Sequence, residues 1–162
     1  MHETPEDLRQ LQRVLDDSHA RGGAHLRSIF TEERRVPAAE LPELLPGVQV
    51  THLATVTDRG EPRVAPVDGL FHRGTLWFGS SPESVRFRHI RSRPQVSASI
   101  TKGEEFALVA HGRAHEIDTT GPGTAPFVDY LVEVYGGDWH QWAKGCPYAW
   151  IEAERMYTYR SS

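Results

Sequence analysis

The 162-residue chain has a single cysteine, Cys146, so no internal disulfide and no thiolate-rich metal site can form. Lysine is nearly absent too, with Lys102 and Lys144 set against sixteen arginines. Long apolar runs are missing. The longest, Phe106 to Ala110, falls far short of the ~20 residues that cross a bilayer as a helix. There is no basic excess: 22 acids against 18 bases leave a formal charge of −4, whereas a general nucleic-acid binder carries a positive balance. The opening MHETPEDLRQLQRVLDD lacks the charged, apolar and small-residue order of a secretory leader. Together these absences predict a cytoplasmic chain in a reducing compartment, with neither membrane nor nucleic acid as partner.

What remains is an ordinary globular composition, 38% hydrophobic and 25% charged, long enough for one domain with one proper core. Its charge is uneven. Residues 1–49 carry six bases against nine acids and 116–162 carry three against seven, but 50–115 carry nine against six. A bound anionic small molecule would explain the positive middle, and so would simple fluctuation. The bias toward arginine favours two-pronged grips on carboxylate or phosphate.

The first segment reads as helix. Thr4 caps it, Pro5 suits its first position, and Glu6 and Asp7 sit at its positive end. Leu8, Leu11 and Leu15 share a face, and Gly22-Gly23 stops it. A second short helix is expected from Ala38 to Leu45, interrupted by Pro42. From Val48 the apolar period changes to two. Strands are expected near 48–56, 62–71, 75–80, 95–100 and 106–117, mostly joined by turns such as DRGE and KGEE. Pro126 to Tyr135 is expected to be helical, Asp138 to Lys144 one further turn, and YAWIEAERMYTYR one or two closing strands. Such spacing predicts an antiparallel barrel or sandwich with helical additions.

One segment between strands carries chemistry: SSPESVRFRHIRSR, Ser80 to Arg93. Ser81 is expected to cap a helix with Pro82 at its first position. Val85, Phe87 and Ile90 are expected to anchor it. At 100° per residue Arg86, His89 and Arg93 share a sector of about 60°. Free N–H groups, serine hydroxyls and an arginine one turn in make a phosphate cradle, although Glu83 in the same turn would repel an anion. A capped surface helix with solvated arginines fits the spacing equally well.

The order of elements resembles the pyridoxamine-phosphate-oxidase-like split β-barrel family, which includes FMN-binding and deazaflavin-dependent oxidoreductases. The resemblance runs from about Val50 to Ile117 through LATVTDRGEPRVAPV, LWFGSSPESVRFRHIRSRPQVSASI and ALVAHGRAHEI. It includes a G-x-P-x-x-x-P strand and a helix patterned as Ser84-Val85-Arg86, Ile90 and Pro94-Gln95-Val96. The resemblance implies a mainly β (α+β) fold, an antiparallel split β-barrel of about six or seven strands. N-terminal helices, a helix between barrel strands and a C-terminal helix would complete it. A helical arm over residues 1–47 would pack on a flavin-binding barrel over 48–162, one structural domain in all.

The resemblance also implies a site. Arg86 falls where the family places a cation on the cofactor phosphate, and Ser84 where another phosphate contact is usual. Ser81 belongs to the same turn, and Arg63 would reach the ribityl-phosphate region. Val64, Ala65, Pro66 and Val67 would lie along the ring, with Phe78, Gly79 and Ser80 beneath the ribityl chain. A homodimer with cofactor sites at its interface is implied, acting on a small planar substrate by hydride transfer. FMN is the expected cofactor. The alternative is the deazaflavin coenzyme F-420, whose anionic tail would use Arg88, Arg91 and Arg93. A non-enzymatic flavin-binding module and a haem-binding split barrel are further alternatives. No Arg-x-His element stands near the C-terminus, MYTYRSS, so vitamin B6 oxidation is not expected.

Other candidates carry less. His111 and His115 lie on one strand face about 13 Å apart, too far for one metal ion, and no metal site is expected. Cys146 is expected to be inert. Trp139 and Trp142 would stack on a planar ligand or pack across an interface, and Asp68 reads as an exposed strand acid. No catalytic side chain is expected, since a flavin itself carries the hydride chemistry.

Overall fold

The computed structural model describes residues 2–161. Helix α1 (Pro5–Ala20) begins with a reciprocal cap: the Asp7 N–H donates to the Thr4 hydroxyl at 3.2 Å, and the Thr4 N–H donates to the Asp7 carboxylate at 2.8 Å. Leu11 and Leu15 are buried while Leu8 is half-buried. A short α2 (Ala24–Ile29) follows that the sequence pattern did not announce, because it buries none of its residues and leaves no apolar stripe. Single 3₁₀ turns at Glu32–Arg34 and Ala38–Glu40 lead into α3 (Leu41–Leu44). Pro42 stands in the first turn of α3, so it opens that helix instead of interrupting it.

Six strands then close a barrel in the order β1-β2-β3-β6-β5-β4, with every neighbouring pair antiparallel. They are β1 (Val48–Val56), β2 (Pro62–His72), β3 (Thr75–Gly79), β4 (Gln95–Lys102), β5 (Phe106–Ile117) and β6 (Tyr148–Arg160). The C-terminal segment is one strand of 13 residues, which fixes the strand number at six. Period-two alternation sends Val96, Ala98, Ile100, Leu108 and Ala110 inward, each large aliphatic one contributing roughly 1.5–3 kcal/mol by burial. The β5–β6 ladder slips by one residue between His111 and Gly112. At that bulge a Cβ on Gly112 would lie 1.9 Å from the Glu152 carbonyl oxygen, so the strands approach there only because the residue is glycine.

The N-terminal segment shares the barrel's core. Leu11, Leu15, Val36, Ala38, Leu41 and Leu45 form one buried cluster with Leu53, Phe71 and Met156. The Ser18 hydroxyl accepts the Met156 N–H at 2.9 Å, and Thr158 bonds both backbone groups of Val36. A second cluster lies outside the barrel, where Phe127 and Leu131 of α5 (Ala125–Tyr135) and Trp139 of α6 (Trp139–Trp142) cover Leu70 and Tyr148. Trp139 is thus a core residue, donating its indole N–H to the Tyr148 hydroxyl at 2.9 Å. Trp142 is exposed and set edge-on to Tyr135. His72, 2% exposed, has no hydrogen-bond partner on either ring nitrogen and stacks on Tyr130 at 4.8 Å. No helix among the described residues is long and apolar enough to cross a membrane.

The helix between β3 and β4, α4, spans Val85–Ser92. It begins three residues later than the Ser81 cap and Pro82 start predicted, with Ser84 as its N-cap. Ser81 instead opens a turn, its carbonyl accepting the Ser84 N–H at 3.0 Å. Ser-Pro fits the first positions of a turn as well as those of a helix, and here the turn prevails. Phe87 and Ile90 anchor α4 as expected, but Val85 is 51% exposed.

Candidate functional site

Where the β1–β2 ribbon faces the start of α4, the barrel wall opens into a cavity of about 620 Å³. Its strand side is made by Leu53 and Thr55 of β1 and by Arg63, Val64 and Ala65 of β2. Its other side is the Ser80–Ser84 turn and the exposed flank of α4, Val85, Arg86 and His89. Thr55 and Arg63 are direct cross-strand partners, as are Leu53 and Ala65, so the sheet register sets this spacing.

Arg86 leaves the first turn of α4 and donates to the Ser80 hydroxyl at 2.7 Å and to the Pro66 carbonyl at 3.2 Å. Arg63 donates to the Glu61 carboxylate at 2.7 Å and to the Pro62 carbonyl at 3.1 Å. The Arg63–Glu61 pair is more than half exposed on both sides and contributes at most about 1 kcal/mol, which an incoming dianion can outbid. No side chain caps the first turn of α4, so its leading N–H groups are open to an anion. Glu83 lines the same cavity and is its negative element.

Seven of the eleven positions singled out in the sequence line this cavity: Arg63, Val64, Ala65, Ser80, Ser81, Ser84 and Arg86. Pro66 joins them through its carbonyl. Three do not line it. Phe78 turns inward, 5.7 Å from the Phe87 ring; Val67 packs against the main core; and Gly79 lies under the Tyr148 ring.

Five further residues complete the wall: Leu53, Thr55, Glu83, Val85 and His89. Thr55, 3% exposed, has its hydroxyl 2.9 Å from the Nδ1 of His89. Helical angle alone groups His89 with Arg86, while Thr55 lies thirty-four residues away and only the barrel closure brings it near.

The other arginines of this region are engaged elsewhere. Arg91 makes a two-pronged pair with Glu116 at 2.6 and 2.8 Å, and Arg93 donates to the Asp58 carbonyl at 3.0 Å. Only Arg88 of the three expected for an anionic tail lines the adjoining cavity of about 390 Å³, with Asp58, Val85, His89 and Ser92. The two histidines of β5 are also committed. His111 bonds Ser97 at 2.8 Å, and His115 bonds Glu152 at 2.8 Å while stacking on Trp150. No cluster of three metal-ligating side chains exists among the described residues. Cys146 is half-buried near Pro82 and Arg91, outside the cavity, and Asp68 is an exposed strand residue.

Solved structures share this architecture. A conserved hypothetical protein from Mycobacterium tuberculosis is 17% identical, with a TM-score of 0.64, over 80% of this chain and 88% of its own. An FAD-binding protein from Mesorhizobium loti is 22% identical, with a TM-score of 0.61, over 80% and 98%. The haem storage protein HutZ from Vibrio cholerae is 16% identical, with a TM-score of 0.64, over 75% and 93%. At such identities the likeness speaks for the fold alone. No curated protein matches the sequence. The sequence model described as pyridoxamine 5'-phosphate oxidase matches residues 38–159, a span that takes in β1 to β5, all but the last residue of β6, α4 and the whole cavity. By that match the chain belongs to the pyridoxamine 5'-phosphate oxidase family.

Proposed function

We propose that the cavity holds a flavin, FMN in preference to the deazaflavin F-420, and that the chain is an oxidoreductase moving a hydride to or from a small planar substrate. The observation that carries this reading is Arg86, fixed between Ser80 and Pro66 beside the uncapped opening of α4. A phosphate there would meet a guanidinium, serine hydroxyls and free N–H groups together. The size supports it too, since about 620 Å³ lies within the range of small-molecule and cofactor pockets. Val64 and Ala65 supply an apolar wall for a ring.

When bound, the flavin supplies the hydride chemistry. This chain's residues hold its anionic end with Arg86 and Ser84, and Arg63 reaches it by releasing Glu61. Leu53, Val64 and Ala65 keep water from the ring.

A homodimer belongs to the same proposal. Val50 and Val64 are 64% and 69% exposed on the outer face of the β1–β2 ribbon, Val64 at the edge of the cavity, and a second copy covering them would close the site. A cytoplasmic setting accords with the single thiol. The test is the absorption spectrum and mass of the copurified ligand, followed by FMN and F-420 titration. Flavin absorbance or micromolar FMN affinity supports the reading. A haem spectrum, favoured only by His89 lining the cavity, replaces it. A tightly held flavin that no donor or acceptor oxidises or reduces leaves a binding module instead of an enzyme.

A further inference from the structure

We infer that His89, held by Thr55, is a second anion-recognising donor of the cavity, acting with Arg86 on the phosphate end of the ligand. The inference rests on the flavin-phosphate reading of the cavity and adds a residue to it. Thr55 is 3% exposed, and its hydroxyl finds one side-chain partner among the described residues, the Nδ1 of His89 at 2.9 Å. A buried hydroxyl without a partner is costly, so the contact holds the imidazole in place. When the hydroxyl donates to Nδ1, the ring proton sits on Nε2. Nε2 then becomes a donor, and among the described residues no protein group accepts from it.

His89 lines both the 620 Å³ cavity and the adjoining one of about 390 Å³, so it stands where the two meet. Its charged neighbours favour an anion. Arg63 lies opposite Thr55 on the ribbon, and Arg86 and Arg88 flank His89 on α4. Against these three stand Glu83 of the preceding turn and Asp58 of the β1–β2 turn. An Nε2–H donor suits a phosphate oxygen whether the group is terminal or continues into the second cavity.

Ring-nitrogen NMR of the purified chain tests this, with the His89 signals assigned by their loss in H89Q. The expected result is the Nε2–H tautomer, with ring resonances that move on addition of FMN or inorganic phosphate and stay still with riboflavin. T55V should mix the tautomers. H89A should weaken FMN binding about tenfold while leaving riboflavin binding unchanged, and H89Q, which keeps a donor, should recover most of the loss. An Nδ1–H tautomer, His89 resonances unmoved by both FMN and phosphate, or equal FMN affinity in H89A overturns the inference. If no flavin binds but phosphate moves His89, the flavin reading fails and the role of His89 stands. If R86A loses FMN and H89A does not, the flavin reading stands and the role of His89 fails.

Discussion

The guanidinium of Arg86 bridges 3.2 Å to the carbonyl of Pro66, so the opening of α4 is tied to the middle of β2. This contact makes one site of two elements twenty residues apart. Replacing Arg86 by Ala removes both the tie and the principal cation. FMN affinity should fall at least about tenfold, or 1.4 kcal/mol, in a fluorescence titration. Urea unfolding should move by only about 1 kcal/mol, because just two hydrogen bonds are lost. R91A, whose guanidinium is paired with Glu116 outside the cavity, serves as the control, with FMN affinity expected to stay within a factor of two or so.

The burial of His72 should make stability depend on pH. Burial, followed by the charges of His2 and Arg73, pushes its imidazole down to about 4, while Asp7 and Glu133 act weakly in the other direction. Above about pH 6.5 the ring is neutral whether folded or unfolded. Between 6.5 and 4 the unfolded chain takes up the proton and the folded one does not, so stability falls as pH falls. The loss should approach about 3 kcal/mol near pH 4. Urea melts at pH 7, 5.5 and 4.5 check the slope, and H72F, which keeps a ring against Tyr130, should flatten it.

At the β5–β6 bulge, Gly112→Ala places a methyl against the Glu152 carbonyl, 1.9 Å from the ideal Cβ position. The strands must part or slip, costing at least about 2 kcal/mol. A lowered urea midpoint with retained far-ultraviolet circular dichroism is the expected signature. An unchanged midpoint would mean that the ladder absorbs the methyl.

The exposed Val64 tests the proposed dimer. Val64→Glu puts a charge on the outer face of the ribbon, where burial against a second copy would strand it unpaired. Light scattering after size exclusion should show the wild-type chain at twice the monomer mass and the variant at the monomer mass. A wild-type monomer would remove the interface from the proposal.

The barrel was legible because β4 and β5 alternate strictly, and alternation follows from the pleat itself; in β1 the alternating Val48 and Val50 face outward, and Thr51, Leu53 and Thr55 are the buried set. Arg86 was legible because the family's helix pattern puts a cation there. The start of α4 was not, since Ser81-Pro82 opens a turn or a helix with the same residues. α2 left no mark because it buries nothing. Phe78 lies two residues from Ser80 in sequence, but it faces the core within β3 while Ser80 lies beyond the end of that strand. Thr55 could be recognised only through its partner, because a threonine inside a strand reads as ordinary β composition until closure sets it beside His89.

The shared core of the first helix and the last strand constrains how the polypeptide is made. Leu11 and Leu15 leave the ribosome early, yet they pack with Met156, and Ser18 receives its backbone partner from that same residue, 138 positions downstream. Until β6 emerges, those leucines have only the part of their native cover that comes from residues 36–71. Synthesis at about 5–20 residues per second leaves part of that apolar stripe bare for several seconds or more, an interval in which chaperones can bind the nascent polypeptide and truncated products are prone to aggregate.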